Sequence, residues 1–216
     1  QLDSYSINQE LNNNSPFNSD KNYVLSENME YSQPYWLKKE GSLGMYIVDN
    51  KDIIGTPENN SALNAVFTIS VYGVNLDYDV PVIFKKNDPV NGEMYRPLEI
   101  TPPIFSNISE KVYVFGSGMS KEVSVNVKSG KADISGFITL NLPKGWSFTP
   151  QSIDFQLKLK GQEQTFAFDV TPPNGQSEGE VLAITKLDGK IYDRSLVRIE
   201  YDHIPTQTLF PQATSK

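Results

Sequence analysis

Few residues in this sequence have types that could carry chemistry, and their spacing narrows the choice further. His203 is the single histidine, it stands beside Asp202, and cysteine is absent. An adjacent imidazole and carboxylate could act as an acid–base pair. Neighbours on a strand point to opposite faces, however, and proton transfer needs its partner within about 3 Å, so the preferred reading is an imidazole that orders a strand end. Without cysteine there are no disulfides, no thiolate nucleophiles and none of the common structural zinc sites, and one histidine leaves little room for a Ser-His-Asp arrangement. Asp77 and Asp79 share one strand face and with Glu93 could collect Ca²⁺. That ion takes about six to eight oxygen ligands, and so few carboxylates read better as solvated loop charges. Ser117 lies in Phe115-Gly-Ser-Gly-Met119 without the Gly-x-Ser-x-Gly spacing of a nucleophile elbow. Gly116 and Gly118 lack the third glycine of a dinucleotide fingerprint. No catalytic, cofactor-binding or metal residue is therefore assigned in this chain.

Aromatic residues remain. Tyr31, Tyr35 and Trp36 fall within six residues around Pro34. Three flat rings so close together could form a platform on which a sugar stacks, and they could equally form a packing plug between domains. They are the candidates for carbohydrate or interdomain contact. Trp146 follows Pro143-Lys-Gly145 at a strand end, and the expectation for it is to plug one end of a sandwich, since a buried Trp covers about 150–250 Å².

The elements that must position these residues are strands. The chain carries 19 Lys+Arg against 26 Asp+Glu, a formal charge of −7, which argues against a nucleic-acid or anionic-membrane surface. Hydrophobic residues make up 38% and aromatics 11%, enough for packed cores, and no run approaches the ~18 apolar residues of a membrane helix. Residues 1–22, with Asn12-Asn-Asn14 and Ser15-Pro16, read as a linker or frayed segment. Tyr23 to Leu37 reads as extended chain, because Pro34 would break any helix through it. Val66, Thr68 and Ser70 alternate with Phe67, Ile69 and Val71, and Val80, Val82 and Phe84 form a second run. The triplet Thr101-Pro102-Pro103 then makes a stiff connector.

In the second half the period-two pattern recurs at Val123, Val125 and Val127; at Ile134, Ile138, Leu140 and Leu142; at Ile153, Phe155, Leu157 and Leu159; and at Phe166, Phe168 and Val170. Leu187-Asp188-Gly189-Lys190 is an Asp-Gly hairpin signal. With Val112 to Phe115, Val181 to Thr185 and Ser195 to Tyr201, seven strands are expected at immunoglobulin-like spacing, and no long helix. The predicted fold is all-β: two immunoglobulin-like antiparallel β-sandwich domains in tandem, 23–102 and 103–204. A tail over 205–216 is expected to dock through Ile204, Leu209 and Phe210.

The segments SQPYWL (32–37), IGTPEN (54–59), DPVNGEMYRPLEITPP (88–103), LPKGW (142–146) and YDHIPTQTLFP (201–211), in that order, resemble the C-terminal region of large secreted bacterial PIG-L/LmbE-type N-deacetylases. The second half is also similar to the small β-sandwich domain attached to bacterial α-galactosidases. That family's metal motif, of the type Ala-His-Pro-Asp-Asp, does not occur here, so its activity does not carry over to this chain. What the resemblance implies is context. The chain opens at Gln1 without a Met or a signal segment and is expected to be a piece of a larger periplasmic or secreted protein. Its expected role is non-catalytic, supporting or positioning substrate for an upstream, zinc-dependent catalytic domain of the same polypeptide. An autonomous carbohydrate-binding module that takes a glycan, or a ligand-free spacer, is the alternative. Neither nucleic acid nor membrane insertion is expected.

Overall fold

The computed structural model describes residues 12–26, 28–116 and 118–216. Residues 1–11 of the predicted linker and Ser117 of the glycine turn lie outside the described residues. Where hydrophobic side chains alternate, the chain pairs. Strands β1 (Asn64–Val71) and β2 (Val74–Pro81) form one antiparallel hairpin, and β3 (Ile83–Asp88) and β4 (Gly92–Pro97) a second. The rest builds two facing sheets. One contains β5 (Ile104–Ile108), β6 (Lys121–Ser129), β8 (Ser147–Thr149) and β10 (Glu163–Thr171), in the order β5-β6-β10-β8. The other contains β7 (Ile134–Asn141), β9 (Ile153–Leu157), β11 (Val181–Leu187) and β12 (Lys190–Tyr192), in the order β12-β11-β7-β9. A third hairpin, β13 (Val197–Tyr201) with β14 (Ile204–Leu209), follows, and the short β15 (Thr214–Ser215) joins the edge of β11.

The all-β reading holds, and the second half is the expected sandwich. Its core is built from the predicted inward positions: Val123, Val125 and Val127 of β6, Ile138 and Leu140 of β7, Phe155 and Leu157 of β9, and Phe166, Phe168 and Val170 of β10. The Asp188-Gly189 turn has both residues at positive φ (48° and 77°), the geometry a type I′ hairpin demands. Among the described residues the only helical segments are 3₁₀ turns at Tyr35–Leu37 and Lys51–Ile53, and no helix is long and apolar enough to cross a membrane.

Three expectations about single segments need correction. Val112 to Phe115 is not a strand of either sheet; β5, just after Pro102-Pro103, takes that place. Leu159 lies past the end of β9 and is exposed, not inward. Ser195 to Tyr201 contributes β13 to a hairpin outside both sheets. Residues 64–97 form two separate two-stranded hairpins, and the hydrophobic core cluster draws only on residues from Ile104 onward. In the proline connector Pro102 is fully buried, and the Pro103 carbonyl accepts the Gly130 N–H at 2.8 Å.

Between the sheets, the hydroxyls of Ser106 and Thr185 meet at 2.6 Å with both side chains buried. Thr185→Val keeps the volume but leaves the Ser106 hydroxyl unpaired in an apolar layer, at a cost of about 1–3 kcal/mol. Denaturant unfolding of Thr185→Val against Thr185→Val/Ser106→Ala checks this, because the double variant should recover part of the loss.

Candidate functional site

The segment Tyr31–Leu37 is tied down residue by residue. Ser32 N–H donates to the Ile100 carbonyl (2.8 Å), and Ser32 Oγ accepts from Ile100 N–H (2.9 Å). Gln33 Oε1 accepts from the Phe210 N–H (3.0 Å). Asn59 Nδ2 donates to the Gln33 carbonyl (2.6 Å), and Asn59 Oδ1 accepts from Tyr35 N–H (2.9 Å). The Tyr35 hydroxyl accepts from Gly55 N–H (3.2 Å) and donates to the Thr56 carbonyl (3.1 Å). Residues Tyr35–Leu37 form a 3₁₀ turn where extended chain was expected, and Pro34 caps its start, a position where its missing N–H costs nothing.

These ties separate the three candidate aromatics. Tyr31 meets Phe210 edge to face at 5.9 Å, and burial pushes its phenol up, with Tyr192 adding to the rise. Tyr35 and Trp36 form their own edge-to-face pair at 4.8 Å. All three are half-buried, so they are neither an exposed strip nor a sealed plug. A groove of about 440 Å³ is lined by Trp36 with Glu58, Asn59, Asn60, Tyr95 and Arg96. Tyr31 and Tyr35 line a neighbouring groove of about 350 Å³ beside Lys38, Lys39 and Asp49. Its lysines are taken up in exposed ion pairs, Lys38 with Glu30 (2.7 Å) and Lys39 with Asp49 (2.5 Å).

The remaining candidates are dispersed. Asp77 accepts from the Thr68 hydroxyl at 2.6 Å, whereas Glu93 is on another hairpin. There the Lys85 ammonium (2.7 Å), followed by the Tyr95 hydroxyl (2.5 Å), holds the Glu93 carboxyl below its ordinary range. Among the described residues no group of three or more His, Cys, Asp and Glu side chains could hold a metal ion. His203 sits in the turn between β13 and β14, its ring 5.8 Å from that of Tyr201. The donor set does not fit the zinc that the resemblance implies for a deacetylase.

A feature the sequence reading passed over lies at one end of the sandwich. Trp146, placed there as expected, is half-buried and meets Phe115 edge to face at 4.9 Å, and Tyr113 lies 6.4 Å beyond Phe115. Together with Pro143, Pro172 and Pro173 they line a cleft of about 690 Å³, within the size range of ligand sites. The alternation of Tyr113 and Phe115 with Val112 and Val114 was its only signal, and that alternation reads more simply as a sheet strand.

No family model matches this chain, and no curated protein matches it. The fold and its grooves define an all-β protein built on an antiparallel sandwich.

Proposed function

We propose that the chain is a non-catalytic accessory region of a larger extracytoplasmic enzyme, of the PIG-L/LmbE N-deacetylase type that the ordered segments resemble. It packs against the catalytic domain of the same polypeptide and helps to position substrate there. The observation that supports this is the β1–β2 hairpin. Its register puts Ala65, Phe67, Ile69 and Val71 opposite Val80, Tyr78, Leu76 and Val74, so one face is wholly apolar. The reverse face is mostly polar, with Asn64, Thr68, Ser70, Asn75, Asp77 and Asp79 beside Val66 and Pro81. All the apolar-face residues except Ala65 are 43–61% exposed. An isolated two-stranded hairpin is marginal in water, and burying such side chains is worth about 1.5–3 kcal/mol each when complete, so this face is built to be covered. In this reading zinc belongs to the catalytic domain.

The test is to produce the catalytic segment encoded upstream in the same reading frame as a separate polypeptide and mix it with this chain. A one-to-one complex is expected, weakened at least about tenfold by Phe67→Asp, and this chain alone should release no acetate from N-acetylated sugars. An upstream segment with no hydrolase motif, or two pieces that ignore each other, would defeat the reading.

A second reading, carbohydrate binding, draws on the groove where Trp36 stands among hydrogen-bonding side chains. It requires Trp36→Ala to abolish retention on an N-acetylglucosamine polymer while costing well under the ~3–5 kcal/mol of a buried Trp. No retention of the parent chain disposes of it.

A further inference from the structure

Two Asn-Gly pairs occur in the chain, Asn91-Gly92 and Asn174-Gly175. In this dipeptide the backbone nitrogen can attack the side-chain amide before it, because glycine puts no Cβ in the way and its backbone reaches the conformations that ring closure needs. The fold holds the two pairs differently. Asn91 closes the β3–β4 hairpin: its N–H donates to Asp88 Oδ1 at 2.9 Å, and its Nδ2 donates to the same oxygen at 3.3 Å. The Val90 N–H joins them at 2.9 Å, and the backbone donors, Asn91 first, hold the Asp88 carboxyl below its ordinary range. Gly92 is already the first residue of β4, opposite Asp88. The Asn91 amide is thus tied back to residue 88 and cannot swing over the Gly92 nitrogen while the turn is closed. Asn174-Gly175 has no such clasp. It lies in the crossing from β10 to β11, just after Pro172 and Pro173, which have no N–H with which to pin the turn. Both residues are exposed, and neither makes a hydrogen bond among the described residues. Gly175 stands at φ 96°, with nothing within 4 Å of where a Cβ would be.

We propose that Asn174 is a self-modification site, which the folded chain converts to aspartate and isoaspartate with water as the only co-reactant. The Gly175 nitrogen gives its proton to solvent base and attacks Asn174 Cγ. The N–Cγ bond forms, the Cγ–Nδ2 bond breaks, and Nδ2 leaves as ammonia with a proton from solvent. The resulting succinimide takes up one water at either carbonyl. Attack at Cγ breaks the new bond and leaves aspartate in an ordinary backbone. Attack at the main-chain carbonyl breaks the original peptide bond instead, and the isoaspartate so formed carries the main chain through Cγ. Either product replaces a neutral amide with a carboxylate, so a chain of net charge −7 gains a negative charge in the stretch that also holds Glu178 and Glu180. The change falls in an exposed turn with no hydrogen bond to lose, so it marks the surface and leaves the sandwich folded. The site is separate from the β1–β2 face, and it stands or falls independently of the accessory-region proposal.

The full chain, incubated at mildly alkaline pH and then digested, supplies the test, with the peptides that carry residues 91 and 174 followed by mass spectrometry. Asn174 should react at least about tenfold faster than Asn91, because reaction at Asn91 must wait for its turn to open. Isoaspartate in the 174 peptide should accept a methyl group from a protein isoaspartyl methyltransferase. The same incubation in urea is the control: once the hairpin is unfolded, the two rates should converge. Asn174→Gln, which closes the corresponding ring far less readily, should suppress the acidic species seen by isoelectric focusing, and its urea midpoint should match the parent's. Equal rates in the folded chain, or a difference that persists unchanged in urea, would overturn the assignment, since the fold would then not select the site. An acidic species that accumulates as fast in Asn174→Gln would overturn it as well.

Discussion

Phe210→Ala should cost about 3–5 kcal/mol, as truncation of a fully buried aromatic does, and should loosen the chain from β14 to the terminus. The Phe210 side chain has no exposed surface. It stacks on Phe105 (5.8 Å, 15° between planes) and receives the edge of Tyr31 at 5.9 Å. Its backbone is used as well: the N–H donates to Gln33, and the carbonyl accepts from Arg194 Nη1 at 3.4 Å. Phe210 thus joins three stretches far apart in sequence, each aromatic pair adding about 0.5–1.5 kcal/mol beyond simple burial. Ile204, 40% exposed on the same tail, should lose less than about 1 kcal/mol on truncation to Ala. Urea midpoints for the two variants, with hydrogen exchange across 204–216, decide the matter. Equal losses would show that Phe210 does not anchor the tail.

That anchor also explains why β5 was illegible in the sequence. A strand announces itself by alternation only when one face is wet. Ile104 faces the core, Phe105 faces Phe210 and Ser106 is buried with Thr185, so three consecutive residues are covered and no period appears. The coverage comes from residue 210, a contact that no local window contains. Strands β6, β7, β9 and β10 were legible for the opposite reason: their outer faces carry Ser124, Asn126, Asp154, Gln156 and Asp169, and the alternation is unobstructed.

The first half shows the limit of such patterns. Phe67, Ile69 and Val71 alternate as clearly as Val123, Val125 and Val127, and both sets form strands. Alternation states that a face needs cover; it does not state what covers it. In the second half the cover is the facing sheet, whereas the apolar face of β1–β2 stays exposed among the described residues. The candidate aromatics pair differently for a related reason. Their closeness in sequence suggested one platform, but Tyr35 stands edge to face with Trp36 while Tyr31 takes its partner, Phe210, from the far end of the chain.

The largest effect of all is expected at Gly136, in the middle of β7, which is hydrogen-bonded to β11 on one side and β9 on the other. A Cβ placed there would lie 2.1 Å from the Lys186 carbonyl oxygen and 2.7 Å from Leu187 Cδ2. The first neighbour is backbone of the paired strand, so relief requires β7 and β11 to separate where Phe137 and Lys186 are partners. Overpacking a core usually costs about 1–3 kcal/mol, when side chains can shift to absorb it. A backbone oxygen in a central strand cannot do so, and Gly136→Ala should therefore reach or pass the upper end of that range. Gly136→Val, with two further methyl groups in the same space, should give no cooperatively folded protein. Ser135→Ala, on the exposed side of the same strand, serves as the control and should stay within about 0.5 kcal/mol of the parent. Thermal and urea unfolding of the three variants supply the measurement. A Gly136→Ala variant as stable as the Ser135→Ala control would mean that β7 and β11 do not approach as closely as this register requires, and the close packing of the second sheet would have to be abandoned.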